Sequence, residues 1–350
     1  MNRGQCWGIR WLKQVWRAAL CAGVVCASVA GPVSAGDALA AAPQPDRSWE
    51  SYFGLAILPT GRAVVAGDKG VVMTTDNGGR TWTRQLLKRG YNYFDLYSVA
   101  FTPDASRGWA VGDGAVIFRT DDRGTTWTEQ KGPPGLNAAL LKIAVFDAQR
   151  FCMGGEHGVL LCTSDGGTSW NLQKFRDIVF FDVVFTDPNN VWAVGEFATL
   201  LHSTDGGKTW QVQNGGEIGK GDPLFSLAFN GRQGMAVGLI GTSLQTSDGG
   251  KTWQAHELPI GHRSLYTVTT VPSQSSEFYA AGEQGLAILI TNGEVTPVPS
   301  GVADAIAASA FSPRFGIAAG LSGTLLRSDD GGRHWRSLFN KQQTLLTEAQ

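Results

Sequence analysis

The sequence predicts an all-β fold, a seven-bladed β-propeller with four antiparallel strands per blade, and three observations lead there. An eight-residue turn of the form S/T-x-D-x-G-x-x-W recurs along the chain, its tryptophans 40, 43 or 45 residues apart where copies are consecutive. Ahead of these turns stands a short apolar strand ending in glycine, and that strand occurs seven times. The 46 Gly and 12 Trp with only 17% charged residues are the composition of many short strands joined by tight turns. A repeat of about 40–45 residues holding four strands is the signature of a propeller blade. A parallel β-helix is the competing architecture, but its coils are shorter. A hydrophobic fraction of 43% at a net charge of −1 excludes disorder for the bulk of the chain. The lack of a basic excess argues against nucleic acid as a partner.

The first 35 residues differ from the rest. Arg3, Arg10, Lys13 and Arg17 come before any acid, an apolar run Ala18 to Ala30 follows, and Val33-Ser34-Ala35 offers small residues for cleavage. Basic, apolar, small is the order of a secretory signal. A membrane anchor needs about 20 apolar residues, and this run is shorter. Cys21 and Cys26 would suit a lipoprotein, yet Leu20 and Val25 stand where that signal wants a small residue. The expected organisation is a signal peptide 1–35, a linker 36–46, a propeller 47–340 and a C-terminal tail 341–350. The mature protein is then exported to the periplasm or another extracytoplasmic space, with no stable membrane span. Without the four basic residues, 25 Lys+Arg face 30 Asp+Glu, a balance of −5.

The turns come next along the chain. Thr120 to Trp127, Thr163 to Trp170, Ser203 to Trp210, Thr246 to Trp253 and Ser328 to Trp335 fit the full pattern, with Asp122, Asp165, Asp205, Asp248 and Asp330 in the acid slot. Thr75 to Trp82 aligns on its tryptophan but carries Asn77 in that slot. The glycine-ended strand marks seven units, at Gly67, Gly112, Gly155, Gly195, Gly238, Gly282 and Gly320. In the sixth unit, Tyr279-Ala280-Ala281-Gly282 is followed by Thr291-Asn292-Gly293 where the box should stand. The second unit shows the strand signals: Leu96 to Phe101, Gly108 to Gly112, Ala115 to Thr120, and Trp127 onward. Counterparts of the first strand include Phe181 to Phe185, Leu224 to Phe229 and Ala307 to Phe311.

The box aspartates read as structure rather than chemistry. Asp accepts hydrogen bonds from nearby backbone N–H groups, Gly supplies backbone angles closed to other residues, and the Trp buries its ring between blades. A catalytic group is needed once, whereas a fold device is needed in every blade. Calcium would want several oxygen ligands together, and no D-x-D-x-D-G run occurs. No metal and no cofactor are expected.

The box is similar to the Asp-box (BNR) repeat. Joined to the preceding strand, as in Gly108-Trp109-Ala110-Val111-Gly112-Asp113-Gly114 running on to Thr126-Trp127, it resembles the photosystem II stability/assembly factor-like propellers. The resemblance covers residues 47–340. It implies a non-enzymatic assembly factor, since family members in chloroplasts and cyanobacteria act in the lumen on newly made photosystem II subunits. Similar exported propellers occur in bacteria without photosynthesis. The expected partners are therefore client proteins, among them membrane-protein assembly intermediates, met by a monomeric propeller.

The rival class is a glycoside hydrolase of sialidase type, or a carbohydrate-binding propeller, because Asp-boxes occur there too. The Arg-Ile-Pro signature of sialidases is absent, and no motif proposes the paired carboxylates other glycosidases use. There is no G-x-S-x-G elbow, and the five His show no metal-ligand spacing. His202 shares its strand position with Arg119, Gln245 and Arg327, a polar column. The chain reads as a protein without enzymatic activity.

Two further expectations concern specific side chains. Cys152 and Cys162 flank a turn centred on His157 and should face each other on paired strands, either as a disulfide or as two buried thiols. The residue after each motif glycine should lie on the rim opposite the boxes. Asp68, Asp113, Glu156, Glu196 and Glu283 occupy five of those seven positions, with Leu239 and Leu321 in the others. The first blade-to-blade link on that rim carries Tyr91, Tyr93 and Phe94. Acids and aromatics together make this rim the candidate partner-binding surface, the alternative being solvated turns with aromatics folded inward.

Overall fold

A computed structural model describes residues 50–213, 221–272 and 277–339. The expected signal peptide, linker and C-terminal tail lie outside them. Seven four-stranded antiparallel sheets, each with its strands in sequence order, form the seven blades of a β-propeller. Blade 2 is typical, with strands Leu96–Phe101, Gly108–Gly112, Ile117–Thr120 and Thr128–Glu129. The second strands are buried along their whole length in blades 1, 2, 3, 4, 6 and 7, because neighbouring blades cover both faces. That sandwiching explains the near-continuous apolar runs in the sequence. Two details differ from expectation. The third strand of blade 2 starts at Ile117, since Asp113–Ala115 form a 3₁₀ turn, and the outermost strand is only two residues long.

One contact recurs in every blade. The residue after the motif glycine donates its N–H to the carbonyl just before or within a residue of the blade's first strand: Asp68 to Ser51, Asp113 to Asp95, Glu156 to Ala139, Glu196 to Val179, Leu239 to Pro223, Glu283 to Ser264 and Leu321 to Ala305, at 2.9–3.0 Å. The bond draws that carbonyl onto the glycine. A Cβ at any of the seven motif glycines would stand 2.0–2.2 Å from the same oxygen. The glycines are extended, near φ −170° in blades 1 and 2, so close approach rather than backbone freedom demands them.

The same approach bends the first strand. In all seven blades the register between first and second strands shifts around the second residue, a β-bulge. The bulged residues are Phe53, Tyr97, Leu141, Phe181, Phe225, Tyr266 and Ala307, and all seven line the central channel. A bulge adds a residue to one strand and re-aims its side chain.

On the opposite rim the boxes lock each blade to the one before it. A Cβ on Gly250 of the blade 5 box would stand 2.4 Å from the buried Trp192 ring of blade 4. A Cβ on Gly207 of the blade 4 box would stand 2.3 Å from Cys162 Sγ of blade 3. Trp335 of blade 7 packs 5.1 Å from the Tyr279 ring of blade 6. Burying an aromatic ring of this size removes on the order of 200 Å² from water, about 5 kcal/mol before entropy is counted. Blade 6 has no box: Asn292 and Gly293, both at positive φ, form a two-residue hairpin between Thr291 and Glu294. Asn-Gly favours that turn because both positions need left-handed backbone.

Cys152 and Cys162 are direct cross-strand partners and are joined in a disulfide. They fill the slot that holds Trp109 in blade 2 and Trp192 in blade 4, buried beneath the blade 4 box. The ring closes without strand exchange, since all strands of blades 1 and 7 come from contiguous chain. Phe315, Ile317, Ala319 and Leu325 of blade 7 share one apolar cluster with Tyr52, Val65 and Met73 of blade 1. Arg327 reaches across to the Gly78 carbonyl, and Gly323 N–H donates to the Glu50 carbonyl at 2.6 Å.

Two stability tests follow from these contacts. Gly195→Ala places a methyl against the Val179 carbonyl and is expected to cost about 3 kcal/mol or more in urea unfolding. Gly249→Ala, at φ +80° with no atom within 4 Å of the added Cβ, is expected to cost about 1 kcal/mol. Equal losses would remove the close approach as the reason for the motif glycine. The disulfide closes a loop of ten residues' separation, so Cys152→Ala with Cys162→Ala should lower stability by about 2–3 kcal/mol, read from the same urea midpoints.

Candidate functional site

The boxes are self-contained hydrogen-bond devices. In blade 4 the Ser203 hydroxyl donates to Asp205 Oδ1 at 2.8 Å and accepts the Gly207 N–H at 2.8 Å. Asp205 Oδ1 also accepts the N–H groups of Lys208 and Thr209, and Oδ2 accepts the Thr209 hydroxyl at 2.6 Å. Asp122, Asp165, Asp248 and Asp330 repeat the pattern, His334 replacing the hydroxyl in blade 7. Asn77 reverses one bond, its amide donating to Thr81 Oγ1 at 2.8 Å. Trp82, Trp127, Trp170, Trp210, Trp253 and Trp335 all pack at blade contacts. The indole N–H finds a box carbonyl in blades 2 and 7, whereas those of Trp82, Trp210 and Trp253 are buried without a partner.

These bonds depress the box carboxyls. At Asp205 burial opposes ionisation, but the Thr209 hydroxyl and N–H and the Ser203 hydroxyl outweigh it and hold the pKa at about 2. At Asp165 the Ser169 hydroxyl, the Ser169 N–H and the Thr163 hydroxyl do the same, again to about 2. Nothing in this arrangement presents a free acid or nucleophile. His202 is likewise engaged, stacked 3.8 Å from the Trp192 ring, with Nε2 at 2.8 Å from Asn190 Oδ1. No group of three or more His, Cys, Asp or Glu placed to hold a metal occurs among the described residues.

The opposite rim surrounds the mouth of the channel. Four of the five predicted acids are tied to the backbone there. Asp68 accepts the Ser51 N–H at 2.8 Å, Glu156 that of Ala139 at 3.4 Å, Glu196 that of Val179 at 2.9 Å and Glu283 that of Ser264 at 3.0 Å. Each thus completes a reciprocal pair with the carbonyl of the same residue. In blade 5 that residue is Pro223, which has no N–H to offer, and the position holds Leu239. Asp113 instead accepts the Tyr97 hydroxyl at 3.0 Å. Burial raises the carboxyls of Glu156 and Glu196 above the usual range, partly offset by those backbone bonds. Sequence reasoning missed this capping role, because the donor lies 17–19 residues upstream.

The first link forms a small hairpin, Lys88–Arg89 paired with Asn92–Tyr93, across Gly90 and Tyr91. Tyr91 is 97% and Tyr93 50% exposed, while Phe94 is half-buried with the Arg89 guanidinium 5.4 Å from its ring. Inside the mouth the bulged side chains make an aromatic collar. Phe181, Phe225 and Tyr266 follow one another at 5.1 and 5.7 Å, and Phe53 meets Tyr97 at 5.6 Å. Below the collar a polar belt ties the first strands together. Asp182 accepts the Ser226 hydroxyl and the Leu227 N–H, pairs with Lys142 at 3.3 Å, and Ser226 in turn accepts the Val268 N–H. The channel encloses about 1300 Å³.

Fold and mouth together define a seven-bladed propeller whose carboxylates are used for capping and whose accessible features are a channel and a rim. The profile of the family described as photosynthesis system II assembly factor YCF48 matches residues 55–174 and 171–231, and the chain belongs to that family. Among solved structures, YCF48 bound to D1 peptide is similar at 19% identity and a TM-score of 0.57, over 70% of this chain and 82% of that one. YCF48 from Cyanidioschyzon merolae is similar at 16% identity and a TM-score of 0.63, over 81% and 96%. A catalytically inactive virginiamycin B lyase from Staphylococcus aureus, solved with quinupristin, reaches a TM-score of 0.68 at 10% identity, over 81% and 96%, a likeness of fold alone. No curated protein sequence matches the chain.

The box carboxyls set the acid behaviour. A carboxyl whose folded pKa lies below its unfolded value of 3.8 adds stability that is complete above that value and is lost as pH falls through the folded one. The expected outcome is a thermal midpoint that holds down to about pH 4 and falls steeply towards pH 2. Asp205→Asn should flatten that fall slightly and lower the midpoint at pH 7. An acid limb identical to wild type would exclude Asp205 as a contributor.

Proposed function

We propose that the protein is an exported, non-catalytic assembly factor that holds client polypeptides on the rim around the channel mouth. The observation that carries this reading is the exposed pair Tyr91 and Tyr93, raised on a hairpin beside a rim with acids at five of its seven turns. Large aromatics in water are costly to leave uncovered and are enriched where proteins meet partners. Family membership supports assembly work, and the D1 peptide in one similar structure supports a polypeptide as the client. Membrane-protein assembly intermediates fit as clients, with the propeller itself a monomer. No helix among the described residues is long and apolar enough to cross a membrane. In this reading the segment 1–35 directs export and is removed, and the propeller works in the periplasm or an equivalent compartment.

The test is affinity capture from the native cell envelope with the wild-type protein and two variants. Tyr91→Ser with Tyr93→Ser should reduce recovery of clients about tenfold. Asp113→Asn, Glu156→Gln and Glu196→Gln together keep an acceptor oxygen at each position but remove charge, and should weaken capture most at low salt, where attraction is least screened. Undiminished capture by both variants, with native circular dichroism, would overturn the rim as the client surface. Robust turnover of aryl glycosides or sialosides would overturn the non-catalytic reading.

A further inference from the structure

The cystine of blade 3 lies beneath a turn of the next blade. Cys152 and Cys162 are 0% and 2% exposed and share an apolar cluster with Val183, Val191 and Leu201 on the strands of blade 4. Towards the box rim their cover is the blade 4 box itself. A Cβ on Gly207 would stand 2.3 Å from Cys162 Sγ and 2.9 Å from Cys152 Sγ, so the backbone of that turn rests on both sulfurs. The next two residues, Lys208 and Thr209, are exposed. On this side a single turn of chain stands between the disulfide and solvent.

Side chains of blade 3 hold that turn down. Asn171, the cross-strand neighbour of Cys162, donates from Nδ2 to the Gly207 carbonyl at 2.8 Å and to the Lys208 carbonyl at 3.1 Å. Gln173 Nε2 donates to the Lys208 carbonyl at 3.2 Å. The strands around the sulfurs are fixed differently, by sheet ladders within blades 3 and 4. An exposed turn held by a few side-chain bonds opens at a lower free energy than core strands do. The blade 2 box has a latch of the same kind, Gln85 Nε2 donating to the Gly124 carbonyl at 3.0 Å, but that box lies over Val64 and no sulfur.

We infer that the blade 4 box is a gate over this redox centre: thiol–disulfide exchange at Cys152 and Cys162 proceeds while the box is lifted and stops when it is seated. Exchange starts with a thiolate attacking a disulfide sulfur, so its rate depends on access to that sulfur. With a dithiol reductant, one thiolate attacks one sulfur of the cystine. The cystine bond breaks, one cysteine leaves as thiolate, and a mixed disulfide forms. The reductant's second thiolate then attacks its own sulfur in that mixed disulfide and releases the other cysteine. Two electrons and two protons pass from the dithiol, which ends as a disulfide. Oxidation by a disulfide reagent is the reverse. A seated ring therefore keeps its cystine among thiols, whereas a chain whose fourth blade is undocked exchanges freely. Docking of blade 4 on blade 3 seals the bond in whichever state it finds it.

The test is the rate at which dithiothreitol reduces the purified full chain, followed by quenching with iodoacetamide and mass spectrometry of the peptides holding Cys152 and Cys162. Native wild type should be reduced at least about a hundredfold more slowly than the same chain in urea, because attack waits for local opening. Asn171→Ala with Gln173→Ala removes the latch without touching the box and should speed reduction about tenfold, since exchange tracks the open population. Asp205→Asn, which loosens the box from within, should speed it as well. Gln85→Ala releases the blade 2 box and should leave the rate unchanged, which separates a local gate from general loosening. Circular dichroism checks that each variant keeps its sheet. Reduction of native wild type as fast as in urea would overturn the inference. So would a wild-type rate in both the latch and the Asp205→Asn variants, or equal acceleration by Gln85→Ala.

Discussion

A single hydrogen bond organises this molecule: the N–H of the residue after each motif glycine, donated to the carbonyl at the entry of the same blade's first strand. It is made seven times at nearly constant length. It ties the turn between second and third strands to the strand that lines the channel, and so holds the inner edge of the blade against its middle. The carbonyl must come so close that a Cβ has no room, which is why glycine ends every second strand. The bulge that follows turns one side chain per blade into the channel, and the collar is the sum of those side chains. A structural bond thereby determines what the channel mouth is made of.

The other rim solves a different problem. Blades are independent sheets, and nothing covalent holds one to the next beyond the linking chain. The boxes supply the grip: a rigid, internally hydrogen-bonded turn whose second glycine abuts the preceding blade, against the buried Trp192 in blade 5 and Tyr279 in blade 7. Where that side chain is replaced by a cystine, the cross-strand bond fills the same slot. Blade 6 forgoes the box and uses a bare Asn-Gly hairpin, yet stays in the ring through Met235, Phe278 and Ile290 in a shared core. The ring therefore tolerates one missing box, because each interface is held by its own apolar cluster as well.

Division of labour between the rims bears on function. The box rim is saturated: its carboxylates each take several donors, and depressed carboxyls make poor acids at neutral pH. The turn rim uses its acids partly as caps and leaves apolar side chains in water on two sides of the mouth, Tyr91 and Tyr93 on one link and Phe197 and Ile240 on two turns. Membership of the YCF48 family, an assembly-factor family, is the basis on which the rim rather than the boxes is proposed as the working surface.

Blade number, strand order and the positions of the boxes could be read from the sequence alone, because each depends on residues within one repeat. Gly108 to Gly112 and Leu96 to Phe101 are strands where the apolar pattern puts them, and Thr291-Asn292-Gly293 is a turn because its own residues favour one. The facing of Cys152 and Cys162 was legible for the same reason, being symmetry about a short turn. Tertiary structure decided the rest. The capping of Ser51, Ala139, Val179 and Ser264 by acids depends on a carbonyl and an N–H returning from 17–19 residues upstream. The bulge adds a residue without changing the apolar character of its strand, so alternation cannot reveal it. Closure of blade 7 on blade 1 joins Arg327 to Gly78 across 249 residues, and the channel mouth collects side chains from every blade. A repeat encodes its own sheet; which side chains meet at the axis is set only when seven of them close a ring.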